Sequence, residues 1–261
     1  MRSRRIAFSG LLFGQLLIAG LTHSQNPVEN WTATARFSAP EAIQAAAADR
    51  EHFYAIANSS VAKYDRQTGK RLATSTGEAR HLNSAFLGDG RLYASHSNYP
   101  LVPEESQIKV LNIQTMQLAT WKDFGNFGGS LTWAVLHEDD WWCNFARYGA
   151  DNRLTFVVQF DGQWNEKSRW TYPLEVIRQL GRYSLSGGLW RDNELLVTGH
   201  DDRVLYRLRL PKNGTVLEFV NQQPIPFTGQ GIAHDPLTGG LVGIDRGKRE
   251  VVFAVSKSIT R

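Results

Sequence analysis

Apolar and polar positions alternate along this chain in short bursts, and one burst of eleven residues recurs five times. The copies run Ile43–Phe53, Leu82–Leu92, Leu131–Trp141, Leu185–Leu195 and Gly231–Leu241. Each starts with small or apolar residues, crosses a polar turn, and resumes with aromatic or aliphatic residues. The turns read Asp49-Arg-Glu-His52, Gly88-Asp-Gly-Arg91, Glu138-Asp-Asp140, Arg191-Asp-Asn-Glu194 and Pro236-Leu-Thr-Gly-Gly240. Short alternating runs bounded by such residues predict β-hairpins. The copies start roughly 40–55 residues apart, the repeat length of propeller blades.

A third alternating run follows each hairpin: Val61–Tyr64, Ile108–Leu111, Leu154–Val158, Val204–Leu208 and Val251–Val255. Four copies then turn into a fourth run, at Arg71–Ser75, Gln117–Trp121, Asn165–Thr171 and Thr215–Val220. The fifth copy has no such run after it. Trp31–Phe37 stands unclaimed before the first copy, where it can complete the last blade and remove the open edges of the array. The pattern therefore predicts an all-β fold: a five-bladed β-propeller of four-stranded antiparallel blades, closed by an N-terminal strand that completes the last blade. One short helix is expected over Pro173–Gly181, with Pro at its start and Gly after its end.

The first residues change the picture of where this domain works. Arg2, Arg4 and Arg5 precede an apolar run from Ile6 to Leu21, and Thr22-His-Ser24 supplies small residues for cleavage. This reads as a signal peptide over residues 1–24, with a single propeller domain over 25–261. A periplasmic or secreted protein is expected, with no membrane span once the leader is removed. The formal net charge is +4, and the three leader arginines account for most of it, leaving about +1 on the mature chain. No basic stripe remains to neutralise phosphates, so nucleic acid is not an expected partner. Cys143 is the sole cysteine, which rules out an internal disulfide. A monomer held together by packing is expected.

Hairpin geometry places candidate chemistry at one end of the ring. The start of each first strand lies beside the end of the second. His81, Asn83, Ser130, Thr132, Ser184, Ser186, Gln230 and Gln44 belong to strand starts, and Asn58, His96, Asn98, Asn144, His200, Asp201 and Asp245 to strand ends. Both sets are expected to gather in one polar mouth. Ala46, Ala85, Ala134, Gly188 and His234 fall farther along the inner strands, where four small residues of five suit a narrow throat. His96 and His200 are the candidate acid–base pair, since imidazole is the side chain that carries protons near neutral pH. Each could equally be bonded to loop backbone. His81, Asn83, Asn98, Trp133, Asn144, Asp201, Gln230 and Asp245 are the candidate binding groups, with Trp133 a stacking platform and Arg80 or Arg147 a carboxylate partner. No cofactor is predicted. An axial divalent metal could take oxygen ligands from Asn58, Asn144, Asp201 and Asp245, or imidazoles from His81, His96 and His200. Ser186 lacks the Gly-x-Ser-x-Gly frame of a nucleophile elbow.

His81-Leu-Asn83, Ser95-His-Ser-Asn-Tyr-Pro100, Gly129-Ser-Leu-Thr-Trp133, Tyr183-Ser-Leu-Ser-Gly-Gly188, Thr198-Gly-His-Asp201 and Gly229-Gln-Gly-Ile-Ala233 together resemble a group of exported bacterial short β-propeller proteins that carry the loose label "cycloisomerase". The resemblance spans nearly the whole mature chain and implies a shared mouth built from these motifs. The expected function is binding of a small polar ligand, a sugar derivative or organic acid, at the mouth of the central channel. If the site is catalytic, isomerase, lactonase or lyase chemistry with histidine acid and base is expected. The alternative is a non-catalytic propeller that docks a protein of the cell envelope.

Overall fold

The computed structural model describes residues 29–258; the expected leader lies outside them. β1 spans Glu29–Ser38. The first blade is β2 (Ala45–Ala48), β3 (His52–Ile56), β4 (Val61–Asp65) and β5 (Arg71–Thr74). The second is β6 (His81–Gly88), β7 (Arg91–Ser97), β8 (Ser106–Asn112) and β9 (Gln117–Gly125). The third is β10 (Ser130–His137), β11 (Asp140–Ala146), β12 (Phe156–Phe160) and β13 (Glu166–Thr171). After α1 (Leu174–Ile177) comes the fourth: β14 (Gly187–Arg191), β15 (Glu194–Thr198), β16 (Val204–Arg209) and β17 (Glu218–Pro224). The fifth holds β18 (Ala233–Asp235), β19 (Gly240–Asp245) and β20 (Glu250–Ser258).

β1 is the fourth strand of that last blade. It pairs antiparallel with β20, from Glu29 opposite Ser258 to Ser38 opposite Glu250, with one bulge between Ala33 and Ala35. First and last segments of the chain thus hold one sheet together, and the ring has no unpaired end. Arg66 of the first blade reinforces the seam: its guanidinium lies 2.6 Å from the Asp235 carboxylate of the fifth, which is fully buried.

The five blades differ in what fills the space between them. The first is packed with alanine, from Ala45 to Ala48, against Phe53, Tyr54 and Phe253. The third carries indoles and phenyl rings, with Trp141 stacked on Trp164 and Trp142 on Trp170. Trp133 belongs to this interblade core. It is fully buried, and a methyl group on Gly188 would overlap its ring, so it is no platform for a ligand. Cys143 is fully buried, and burial pushes its thiol far up, as expected of an inert packing residue.

Two segments differ from the sequence expectation. Leu154, expected to open the third strand of blade three, ends a 3-10 helix over Gly149–Leu154. That turn inserts between β11 and β12 and moves the strand start to Phe156. The last strand of blade four begins at Glu218 rather than Thr215, because the Pro211–Gly214 turn is followed by Val216 bridging to Thr171 of blade three. The expected helix is present but short, its regular turn ending at Ile177.

A belt of hydrogen bonds joins each blade to the next around one end of the axis. Leu82 N–H donates to Asn58 O (2.7 Å), Asn83 Nδ2 to Leu131 O (2.9 Å), and Thr132 Oγ1 to Leu185 O (2.6 Å). Thr198 Oγ1 donates to Gln230 O (2.5 Å), and Gly231 N–H to Gln44 O (2.8 Å) closes the circuit. Five blades leave little room at the axis, and the inner strands approach one another directly. Gly231 bridges Ala45, and a Cβ on Gly231 would sit 2.5 Å from Ala45 Cβ and 2.8 Å from Ser84 Cα. The throat is narrow, and its two ends open into separate cavities. Gly231, the first residue of its repeat, lies level with Ala45 and Ser84, the third residues of theirs, so the fifth repeat is two residues out of the expected register. His234 is not at the throat but at the far end of the axis, with Nε2 2.8 Å from Trp190 O.

Candidate functional site

The polar end of the axis holds a cavity of about 830 Å³. Strand starts supply Gln44, His81, Asn83, Thr132, Ser186 and Gln230, and the segments after the second strands supply Asn58, Tyr99, Tyr148, His200, Asp201 and Arg246. Its size lies within the range of small-molecule sites, and its open polar rim with inward-facing rings suits a ligand of mixed character.

Much of its polar floor is engaged by the interblade belt. Asn83 spends its amide N–H on Leu131 O. Gln44 Nε2 donates to Asn58 Oδ1 at 2.6 Å, and Gln230 Nε2 to His200 O at 2.8 Å. These side chains line the cavity while holding the ring shut. Gln230 is held at φ +93°, a conformation that L-residues rarely adopt, fixed by the bonds its backbone makes on both sides.

The groups with chemistry in reserve cluster on the side of blades four and five. His200 lies flat against Tyr183, ring centroids 3.9 Å apart and planes 7° from parallel. Arg182 donates to the Tyr183 hydroxyl at 2.8 Å and fixes that ring in turn. His200 Nδ1 is 2.7 Å from an Asp201 carboxylate oxygen, and Arg246 is 3.1 Å from Nε2. A guanidinium has only donors to offer, so Nε2 presents its lone pair to Arg246, and the proton of the neutral ring is left on Nδ1, close to the Asp201 carboxylate but not aligned with it for a hydrogen bond. Arg246 also approaches Asp201 at 3.9 Å. His81 stands on the opposite wall beside Tyr99, ring centroids 5.2 Å apart. Burial, then the charges of Arg246 and His200, hold His81 below the usual imidazole range, so it is neutral at pH 7. Desolvation raises the Tyr148 phenol well above its ordinary value. Arg249 adds a second guanidinium to the lining, with one N–H on Pro40 O at 3.1 Å.

Of the ten sequence candidates, His81, Asn83, His200, Asp201 and Gln230 come together in this cavity. The other five are placed elsewhere. His96 and Asn98 line a second cavity on the face of blade two. His96 Nε2 accepts the Arg80 backbone N–H at 3.0 Å, and the two expected histidines do not face one another. Asn98 pins its own loop, donating to Pro103 O and accepting the Glu105 N–H, each at 2.9 Å. Asn144 is fully buried, donating to Thr132 Oγ1 at 2.8 Å and accepting the Tyr172 hydroxyl at 2.7 Å. Asp245 pairs with Arg203 at 2.8 Å, and Trp133 is core. Arg80 lies at the rim of the second cavity and Arg147 3.8 Å from Glu104, so neither is the cation of the mouth.

Neither proposed metal set assembles. Asn144 and Asp245 are committed to other partners, and His96 is in a different cavity from His81 and His200. Among the described residues no three His, Cys, Asp or Glu side chains are grouped so as to hold a metal ion.

Sequence reasoning missed Arg246, Tyr183 and Tyr99. Arg246 and Tyr99 each directly follow a chosen residue, Asp245 and Asn98. Each of these loops turns the second residue toward the axis while the first ties down the backbone.

No protein-family model matches this sequence, and no curated protein is detectably similar to it. Among solved structures, a glutaminyl cyclase of Myxococcus xanthus superposes with a TM-score of 0.58 at 9% identity, covering 90% of this chain and 100% of that one. At that identity the likeness concerns the fold alone. Two weaker likenesses carry no argument. One is to a mitotic checkpoint complex structure, with a TM-score of 0.46, 9% identity and 100% of both chains covered. The other is to the extracellular domain of the hybrid two-component system BT4673 of B. thetaiotaomicron, with a TM-score of 0.42, 10% identity, and coverage of 76% of this chain and 24% of that one.

Proposed function

We propose that this propeller, exported after loss of residues 1–24, binds a small carboxylate-bearing ligand such as a sugar acid in its mouth cavity and moves a proton on it. The observation that supports this reading best is the contact of Arg246 with His200 Nε2 at 3.1 Å inside a cavity of about 830 Å³. The guanidinium occupies the imidazole lone pair. A ligand carboxylate competes for that guanidinium, because charged, bidentate pairing outweighs a bond to a neutral ring. Arrival of the ligand thus frees Nε2 as a base next to the bound acid. Asp201, beside Nδ1, stabilises the imidazolium that forms when Nε2 takes the proton. Neutral His81 across the cavity can receive or supply the second proton of an isomerisation or lactone opening. Tyr99, 43% exposed, offers its ring to the apolar side of a sugar.

The neighbour's name, glutaminyl cyclase, denotes an activity of that protein. At 9% identity it suggests a test substrate for this chain and no more.

A titration of wild type, Arg246→Ala and His200→Ala with sugar acids, their lactones and a glutaminyl peptide, followed by calorimetry and by NMR of the ligand, tests the proposal. Expected is binding of an acid by wild type, loss of affinity in Arg246→Ala, and binding without turnover in His200→Ala. Unchanged affinity in Arg246→Ala would overturn it. The rival reading, docking of an envelope protein on the same face, rests on Leu101 and Val102, 53% and 83% exposed beside the rim residue Tyr99. It would be favoured if no small acid bound and Leu101→Ser, Val102→Ser abolished capture of a partner.

A further inference from the structure

A second polar cavity, of about 350 Å³, lies on the face of blade two beneath the connection that arrives from blade one. Lys109 on β8, His96 on β7 and Thr120 on β9 line it, together with Gln107. Glu78, Arg80 and Glu105 are exposed at its edge.

Lys109 is the unusual member. The residue is 8% exposed, yet no carboxylate oxygen among the described residues lies within 4.0 Å of its ammonium. Its one hydrogen bond goes to the neutral hydroxyl of Thr120, at 2.8 Å. Asp123, the acid whose field favours the ammonium most, is engaged by Gln107 Nε2 and Gly125 N–H, each at 2.8 Å. Buried cations in proteins are ordinarily paired, because removal from water is costly unless a counter-charge replaces the hydration shell. Burial accordingly lowers the Lys109 pKa.

The neighbouring imidazole is arranged so that it adds no competing anion and no competing charge. Its Nε2 accepts the Arg80 N–H, so the neutral ring carries its proton on Nδ1, which has no partner in the structure. Burial first, then Lys109, push His96 down to about 4. A single ammonium with two unspent N–H groups therefore stands at the base of a polar cavity of ligand size.

We infer that this cavity is a second ligand site, in which Lys109 receives the carboxylate of a small organic acid. The rim carries both signs of charge, Arg80 with Glu78 and Glu105, so it accommodates a positively charged tail on that acid as readily as a neutral one. An unpaired buried charge works against folding, and its presence is explained if a ligand supplies the missing partner. The inference does not rest on the mouth reading.

The mouth is also proposed to take carboxylates, so the experiment separates the two cavities. Acetate, succinate and glycine are titrated against sodium chloride of equal ionic strength into wild type, Arg246→Ala and the double variant Arg246→Ala, Lys109→Met. Thermal shift and calorimetry are the readouts. Expected is stabilisation beyond chloride that persists in Arg246→Ala, where the mouth is disabled, and is lost when Lys109→Met is added. In the double variant the affinity falls by about tenfold or more, the scale of one charge-assisted hydrogen bond. Without ligand, Lys109→Met should melt higher than wild type, since it removes an uncompensated charge. A variant-free measurement stands beside these: the acids should protect Lys109 from reductive methylation, read by peptide mass spectrometry. Stabilisation no greater than chloride, stabilisation retained in the double variant, its loss in Arg246→Ala alone, or no protection of Lys109 would each overturn the assignment.

Discussion

The guanidinium of Arg246 and the Nε2 atom of His200 lie 3.1 Å apart across the seam between the fourth and fifth blades. The contact fixes the tautomer of His200 and occupies the atom that would act as base. Replacing Arg246 with Ala removes the donor that holds Nε2, so the proton of the neutral ring is no longer confined to Nδ1. The ¹⁵N shifts of the neutral His200 ring should change from those of a single Nδ1–H tautomer in wild type to those of a tautomer mixture in the variant. An unchanged tautomer would mean that Arg246 does not control this ring.

His96 ties acid sensitivity to the fold. Its pKa falls from an ordinary value near 6.5 to about 4 in the native protein. Between those values the unfolded chain binds a proton that the folded one refuses, so stability is full above about pH 6.5 and declines as pH falls toward 4. The total contribution is on the order of 3 kcal/mol. His96→Gln, which can still accept the Arg80 N–H, should flatten that part of the profile. Urea midpoints measured from pH 7 to pH 4 on both proteins check this, and parallel profiles would contradict it.

The seam between the last and first blades depends on a buried ion pair. Asp235 is wholly enclosed and takes Arg66 at 2.6 Å as well as the Thr238 hydroxyl at 2.6 Å. Asp235→Asn leaves a nearly buried guanidinium, 10% exposed, without its counter-charge. A loss of about 3 kcal/mol is expected, since breaking one half of a buried pair costs more than the pair itself contributes. Denaturant unfolding measures it. A loss below about 1 kcal/mol would show that the guanidinium finds water.

At the throat, Gly231→Ala places a methyl group 2.5 Å from Ala45 Cβ and 2.8 Å from the Ser84 backbone. The inner strands must separate to admit it, and the Gly231 N–H bond to Gln44 O stretches with them. Overpacking of this kind costs about 1–3 kcal/mol. Here it should also loosen Gln230 and Gln44, weakening ligand binding at the mouth in the same variant. Intact stability with normal binding would indicate a looser axis than the distances imply.

What is legible along the chain and what is not differ for a physical reason. Hairpins, blade count and closure by β1 follow from local alternation and turn chemistry, which are properties of neighbouring residues and so are written in the sequence. The polar end of the axis follows too, because strand starts and second-strand ends must meet in any antiparallel ring. Which side chain of a neighbouring pair enters the cavity does not follow. Asp245 holds Arg203 while Arg246 faces His200, and Asn98 ties its loop while Tyr99 reaches the mouth. Both pairs lie where the chain leaves its second strand, and which member turns inward is fixed by the partner that holds the other: Arg203 for Asp245, and the Pro103 and Glu105 backbone for Asn98.

The ring, its five units and the face on which polar groups collect are legible in the order of residues alone. That His96 sits with Lys109, that His200 sits with Arg246, and that Asn144 and Trp133 serve the core emerge with the folded ring. Those partnerships join residues brought together by curvature around the axis and by contacts between blades. Both depend on every intervening strand at once rather than on any local run of residues.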